Sequence, residues 1–224
     1  MSSGAMDSSI KKERPRGRLS REMIEDAAFE VIEREGLAGF SMRKLAADLG
    51  CEAMSIYHHF PSQAHLHEAL VDRLIGSLEM PDAGLPWRQR MHIAMHDFRR
   101  IGREHPAFAP FLVTYRMNSP TCLTWLSDIL GLFEAGGFGP ELSARLFRTV
   151  GYYLMGAILD ETAGYAKGPS AATTVSDEQL ARDFPNVAAA GRYFGAAEFD
   201  RTFDLGLDML LDEMERALGG ANSR

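Results

Sequence analysis

Cysteine is nearly absent from this chain, which carries only Cys51 and Cys122. Without a C-x-x-C spacing they exclude a disulfide scaffold and a thiolate zinc ribbon, and two free thiols in a reducing compartment are expected. Long apolar runs are missing as well. None approaches the ~18 residues of a transmembrane helix, so no membrane association is expected. Residues 1–18 lack the apolar stretch of a signal peptide, which predicts a cytoplasmic protein. There is no excess of positive charge, the net charge being −7. That argues against a protein coating nucleic acid with its whole surface. No glycine-rich phosphate loop, nucleophile elbow or Ser/His/Asp arrangement occurs, and the paired acids Asp160-Glu161 and Asp177-Glu178 have no catalytic context. No catalytic residue and no cofactor is expected.

What is present reads as helix throughout. Ser20 is a good N-cap, Glu22, Glu25 and Asp26 follow it, and Met23, Ala27 and Val31 repeat at helical spacing up to Gly36. Ser41 opens a short helix that Gly50 stops, and a third is expected over residues 53–59, closed by Phe60-Pro61. Ser62 caps a fourth, with Leu66, Leu70 and Leu74 on its face. Two prolines and Gly84 within residues 80–86 mark a boundary. Further helices are expected over 87–104, 108–117, 120–135, 140–165 and 198–218, with a mixed loop of one or two helical turns over 167–197. Both cysteines fall in apparent helices. The fold class is therefore all-α. Residues 1–17 are expected to form a disordered basic arm, 18–79 a small N-terminal domain and 80–224 a larger helical bundle.

Residues 41–60 have the pattern of a helix-turn-helix. Ala46 is small where two steeply crossed helices must meet, and Gly50 tolerates the positive φ of the turn. Ile56 buries the second helix against the first, leaving Ala53, Ser55, Tyr57 and His58 free to face a DNA groove. An ordinary helical hairpin has the same spacing. The preceding helix and the cations Lys11, Lys12, Arg14, Arg16, Arg18 and Arg21, opposed locally by Glu13, favour DNA. Within that arm, Pro15-Arg-Gly-Arg18 allows two readings: a segment lying along a narrow minor groove, as in the centre of an AT-hook, or a flexible basic tail.

The segment from Gly36 to Gly50, followed by Ser55-Ile-Tyr-His-His-Phe-Pro-Ser62 and Leu66, resembles the DNA-binding domain of the tetracycline-repressor (TetR) family. The run from Phe203 to Glu215 resembles the closing helix of that family's C-terminal domains. The resemblance implies an all-α homodimer with an N-terminal reading head over 18–79 and a ligand-sensing, dimerising body over 80–224. It implies a double-stranded DNA operator and a small-molecule effector as partners. Tyr57 and His59 then hold backbone phosphates, while Arg43, Ala53, Ser55 and His58, with Met54 among them, lie where family members touch DNA. Gln63 stands where many members have a lysine; it donates a hydrogen bond to phosphate but brings no charge. The function implied is repression relieved by an apolar or amphipathic effector. A DNA-binding regulator without a small ligand, and a helical metal-dependent enzyme, are the alternatives.

Methionines and aromatics adapt to varied ligand shapes. With the resemblance, they mark Met91, Phe98, Phe111, Tyr115, Trp125 and Tyr152 as a candidate pocket lining. The dimer is expected from two helices. Leu142, Leu146, Val150, Leu154 and Ile158 line one, with Gly151 and Gly156 permitting close backbone approach. Phe203, Leu207, Leu210 and Met214 stripe the other, and Leu205, Met209 and Leu211 widen that stripe beyond one core contact. Charges at Leu154 or Leu211 are thus expected to break the dimer. His92 and His96 share a helix face, a spacing that holds metal in other settings. Spacing supplies no third ligand, and solvated or hydrogen-bonded histidines are the reading preferred.

Overall fold

A computed structural model describes residues 19–114, 118–163 and 175–221. Eleven α-helices and no strand occur among the described residues. None of these helices is long and apolar enough to cross a membrane. The basic arm lies outside the described residues, as do Tyr115 and the stretch 164–174.

The first four helices are α1 (Arg21–Glu35), α2 (Met42–Leu49), α3 (Ala53–Tyr57) and α4 (Gln63–Gly76). The starts of α1, α2 and α4 are written in serines. The hydroxyls of Ser20, Ser41 and Ser62 accept from the backbone N–H groups of Met23, Lys44 and His65, each filling one orphan donor of a first turn. The ends of α1 and α2 are written in glycine. Gly36 (φ 70°) and Gly50 (φ 65°) both take positive φ, which costs an L side chain about 1 kcal/mol or more. Cys51 lies in the bend after Gly50 rather than in a helix, half-buried, and burial pushes its thiol pKa up. Ile24, Ile32, Leu45, Ile56, Phe60, Leu66 and Leu70 are fully buried together beneath this head.

The body contains α5 (Trp87–Glu104), α6 (Ala109–Thr114), α7 (Pro120–Ala135), α8 (Pro140–Ala163), α9 (Asp177–Asp183), α10 (Pro185–Gly191) and α11 (Phe199–Ala221). Proline at the first position starts α7, α8 and α10, where its missing N–H costs nothing. Of the mixed loop expected over 167–197, residues 175–197 are described. They hold two helices of seven residues each, α9 and α10, which pack on each other, more helix than the one or two turns expected. The core gathers α5, α7, α8 and α11 around Met91, Phe98, Ile129, Phe133, Leu154, Phe203 and Leu207. A buried ion pair pins three of these helices. Arg99 of α5 donates to both carboxylate oxygens of Glu161 on α8 (2.8–3.1 Å) and reaches Asp200 of α11 (2.9 Å), with its guanidinium over the Phe203 ring. Removing one partner of such a pair costs about 3–5 kcal/mol, because the other is left charged and dry.

Head and body share a helix. α4 gives Leu66, Leu70 and Leu74 to the head core and Val71 and Ile75 to the body core. In return Ile101 and Phe108 of the body pack into the head. At the joint, Asp72 of α4 accepts hydrogen bonds from Ser119 Oγ and Cys122 Sγ (3.2 Å) at the start of α7, where a carboxylate also suits the helix dipole.

Two expectations about the last helices are corrected. Leu211 does not widen an outer face of α11, and Val150, Leu154 and Ile158 do not line an outer face of α8: all four are core. The apolar residues of these helices left in solvent are Leu205 (59% exposed) and Met209 (60%) on α11, and Leu142, Tyr152 and Leu159 on α8. The tight helix crossings within the chain use two other glycines instead. A Cβ on Gly102 would meet Ile158, and one on Gly206 would meet Tyr153, whereas Gly151 and Gly156 face open space.

Candidate nucleic-acid interface and ligand cavity

The reading helix is short, and its placement rests on one residue. Ile56 is fully buried, so the rest of α3 turns outward. Met54 is 62% exposed, Tyr57 and His58 are exposed, and Ala53, Ser55 and His59 are half-exposed. Arg43 is exposed on α2, and Gln63 is half-exposed at the start of α4. All eight residues expected at DNA therefore reach the surface of the helix-turn-helix or of the turn behind it. Arg21 joins them. Its guanidinium lies 4.0 Å from the Phe60 ring centroid and donates to the His59 carbonyl (2.6 Å). A cation is thus fixed beside a residue expected at a phosphate, where cations gain most. In sequence Arg21 was one of a run of cations, and only the fold singles it out. Lys44, by contrast, is bound to Glu35 (2.6 Å) and the Gly39 carbonyl (2.7 Å), supporting the turn before α2.

The second site is a cavity of about 270 Å³ between α5, α7 and α8. Of the candidate lining, Met91, Phe98, Trp125 and Tyr152 stand at it. Phe111 does not. Its ring sits 4.7 Å from His67 and 6.2 Å from Phe108, in the seam between head and body. Tyr115 lies outside the described residues. Met95, Leu112, Ile129, Phe133, Phe147 and Met155 are among the residues that extend the apolar wall, and Gly151 stands at it with open space before it. Arg148 is the charged side chain of the lining, and it was missed. It donates to the Tyr152 hydroxyl one turn on (3.2 Å) and lies over that ring. Its signal was the i, i+4 pair of Arg148 with Tyr152 on an otherwise apolar helix. An apolar chamber with one cation and one phenol at its edge suits an amphipathic ligand bearing an acceptor or a negative charge.

A buried titratable group lies between the two sites. His67 is 8% exposed between Phe40 of the head and Phe111 of the body, and burial pushes its pKa down.

Comparison with known proteins agrees with this layout. The family model described as "Tetracyclin repressor-like, C-terminal domain" matches residues 80–218, and that described as "Bacterial regulatory proteins, tetR family" matches residues 24–70. The chain belongs to the tetracycline-repressor family. It is a DNA-binding transcriptional regulator with a helix-turn-helix head. An HTH-type transcriptional repressor, DrrR1, of Streptomyces coeruleorubidus is 28% identical over 220 residues, covering 90% of this chain and 79% of that one. An HTH-type transcriptional regulator of Saccharopolyspora erythraea is 26% identical over 212 residues, covering 93% and 90%. In fold, the chain is similar to the Streptomyces coelicolor TetR-family protein ActR in complex with actinorhodin, with TM-score 0.71, 23% identity, and 92% and 99% of the two chains covered.

Proposed function

We propose that this TetR-family chain is a repressor that binds a near-palindromic operator as a homodimer and lets go when a small amphipathic molecule fills the α5–α7–α8 cavity. The observation that carries the ligand is the cavity itself, apolar with Arg148 and Tyr152 at one edge. ActR, alike in fold, holds actinorhodin. The dimer reading rests on the exposed apolar residues Leu205 and Met209 of α11 and on the groove between α8 and α11, lined by Gly156, Ala157 and Phe199. Two identical faces of this kind, packed about a two-fold axis, would bury what one chain leaves wet.

In this reading the cavity wall and the reading head communicate through α4, because its Asp72 is bonded to the start of α7 and its other face belongs to the head. A ligand that moves α7 relative to α5 moves α4, and the two heads lose the spacing of successive major grooves. The test uses intergenic DNA beside the chain's own gene. Footprinting should find a protected inverted repeat, and screening of amphipathic aromatic acids should find a compound that releases it. Gly151→Leu, which projects into the cavity, should keep operator binding and lose the response. If Gly151→Leu and the unsubstituted chain respond alike, the ligand acts elsewhere. If no compound acts, the ligand-free regulator becomes the better reading.

A further inference from the structure

On the α5–α11 seam, cations of one helix face acids of the other in order. Arg88 of α5 meets Asp208 (3.0 Å) and Asp212 (2.7 Å) of α11, and Arg99 and Arg103 both meet Asp200 (2.9 Å each). Midway the pattern changes. Asp204 is met by two imidazoles instead of an arginine: His96 Nε2 lies 2.7 Å and His92 Nε2 3.8 Å from its Oδ1. The rings of His92 and His96, one turn apart on α5, are 4.6 Å apart. Sequence spacing supplied two of these groups, and the fold brings the third from 108 residues away.

We propose that His92, His96 and Asp204 form a binding site for a divalent transition-metal ion of the zinc class. The donor set is of the right chemistry, two neutral imidazoles and one carboxylate, which favours zinc, cobalt or nickel over calcium or magnesium. The one ligand atom from each residue lies within 4.8 Å of the others. Bonds of about 2.1 Å to a tetrahedral ion set ligand atoms about 3.4 Å apart. Asp204 therefore moves away from His96 by about 0.7 Å and towards His92 by about 0.4 Å, shifts well within side-chain adjustment. All three side chains are partly open to solvent (33–45%), so an ion has an entry path and a fourth position is left for water. A hydrogen bond alone explains His96 but not His92, which makes none among the described residues. The electrostatics favour a dication. Asp208, Asp212 and Glu215 all surround the single Arg88 just along the seam, and Arg99, Arg100 and Arg103 are neutralised by Glu161, Asp97, Glu104 and Asp200. The Phe203 ring, edge-on to His96 at 5.0 Å, forms an apolar floor that fixes the imidazole. Binding puts the ion in place of the His96–Asp204 hydrogen bond and ties α5 to α11.

The test takes the full chain, stripped with chelator, and titrates it with Co²⁺ followed by visible absorption and with Zn²⁺ followed by calorimetry. One ion per chain is expected, with d–d bands of a nitrogen–oxygen ligand set and a melting temperature that rises with Zn²⁺. His92→Ala and Asp204→Asn should each weaken binding at least about tenfold, since even the loss of outer partners costs a metal site that much. His92→Ala keeps the His96–Asp204 hydrogen bond and so preserves the fold, which circular dichroism checks. His58→Ala with His59→Ala should leave the affinity unchanged. Absence of binding, or binding that both His92→Ala and Asp204→Asn leave intact, overturns the site whatever the chain's effector proves to be.

Discussion

Gly102→Ala is a demanding test of how the sensing body is packed. The new Cβ would lie 2.7 Å from both Cδ1 and Cγ2 of Ile158 and 2.9 Å from Cγ1, where carbon–carbon contact is comfortable at about 3.5–4.0 Å. Ile158 is fully buried and branched at Cβ, so it has no free rotamer to retreat to, and α5 must separate from α8. Overpacking of this kind costs about 1–3 kcal/mol, and contact with three atoms at once puts this case near the top of the range. Alanine returns about 1 kcal/mol of helix propensity. The net expectation is a loss of about 2 kcal/mol, or about 4–8 °C in melting temperature for a chain of this length. The assay is urea unfolding followed by circular dichroism, extended to a cycle with Ile158→Ala. Alone, Ile158→Ala leaves a cavity and costs about 2–5 kcal/mol. In the Gly102→Ala background it should cost less, by about 1–3 kcal/mol, because the new methyl occupies part of the space. A Gly102→Ala chain stabler than the parent, with additive Ile158→Ala, would show helix propensity acting alone and refute the close α5–α8 crossing.

Tyr57→Phe and His59→Ala should weaken binding to operator and random duplex alike, because phosphates carry no sequence, whereas Arg43→Ala or Ser55→Ala should alter which operator bases are preferred in a binding-site selection. Removing residues 1–17 should lower operator affinity and flatten the plot of log K against log salt by about 0.9 for each phosphate that the arm had neutralised; an effect confined to A·T-rich flanks would favour the minor-groove reading of Arg16 and Arg18. Leu205→Glu and Met209→Glu should give folded monomers by sedimentation with poor operator affinity, while Leu211→Glu, placed in the core, should fail to fold. His67 has a folded pKa below its unfolded value near 6.5, so its contribution to stability is intact above that value and fades as pH falls through it. His67→Leu should therefore flatten the decline in urea midpoint between about pH 7 and 5.

The limits of the helices were legible because their signals are local. Ser20, Ser41 and Ser62 cap by hydrogen bonds within three residues, and Gly50 answers a φ that only its own backbone sets. The outward placement of Ala53, Met54, Ser55 and Tyr57 was legible for a related reason: one buried Ile56 orients a five-residue helix. What failed was the assignment of partners. An apolar residue announces that it will be buried but not against which helix. Leu211 and Leu205 therefore looked equivalent in sequence, though one is sealed in the core and the other is 59% exposed. Phe111 followed the same pattern, drawn to the seam by His67 and Phe108 instead of to the cavity. Asp204 was invisible beside His92 and His96 because the fold joins helices far apart in the chain.

The sharing of α4 between two cores has a mechanical meaning. Its fourteen residues make a rod about 21 Å long at 1.5 Å per residue. A rod held by the head along one face, and by the body on another face of its C-terminal half, carries small rotations of the body into the head. Asp72, at the joint with α7, lies nine residues or about 13 Å from Gln63. A tilt of about 5° there sweeps the far end by about 1 Å, and in the proposed dimer the two heads move in opposite senses, by about 2 Å in all. Successive major grooves on one face of DNA are about 34 Å apart, and the base contacts within them hold only over a fraction of an ångström. The lever is thus long enough for a sub-ångström displacement beside the cavity to become a mismatch that DNA cannot absorb.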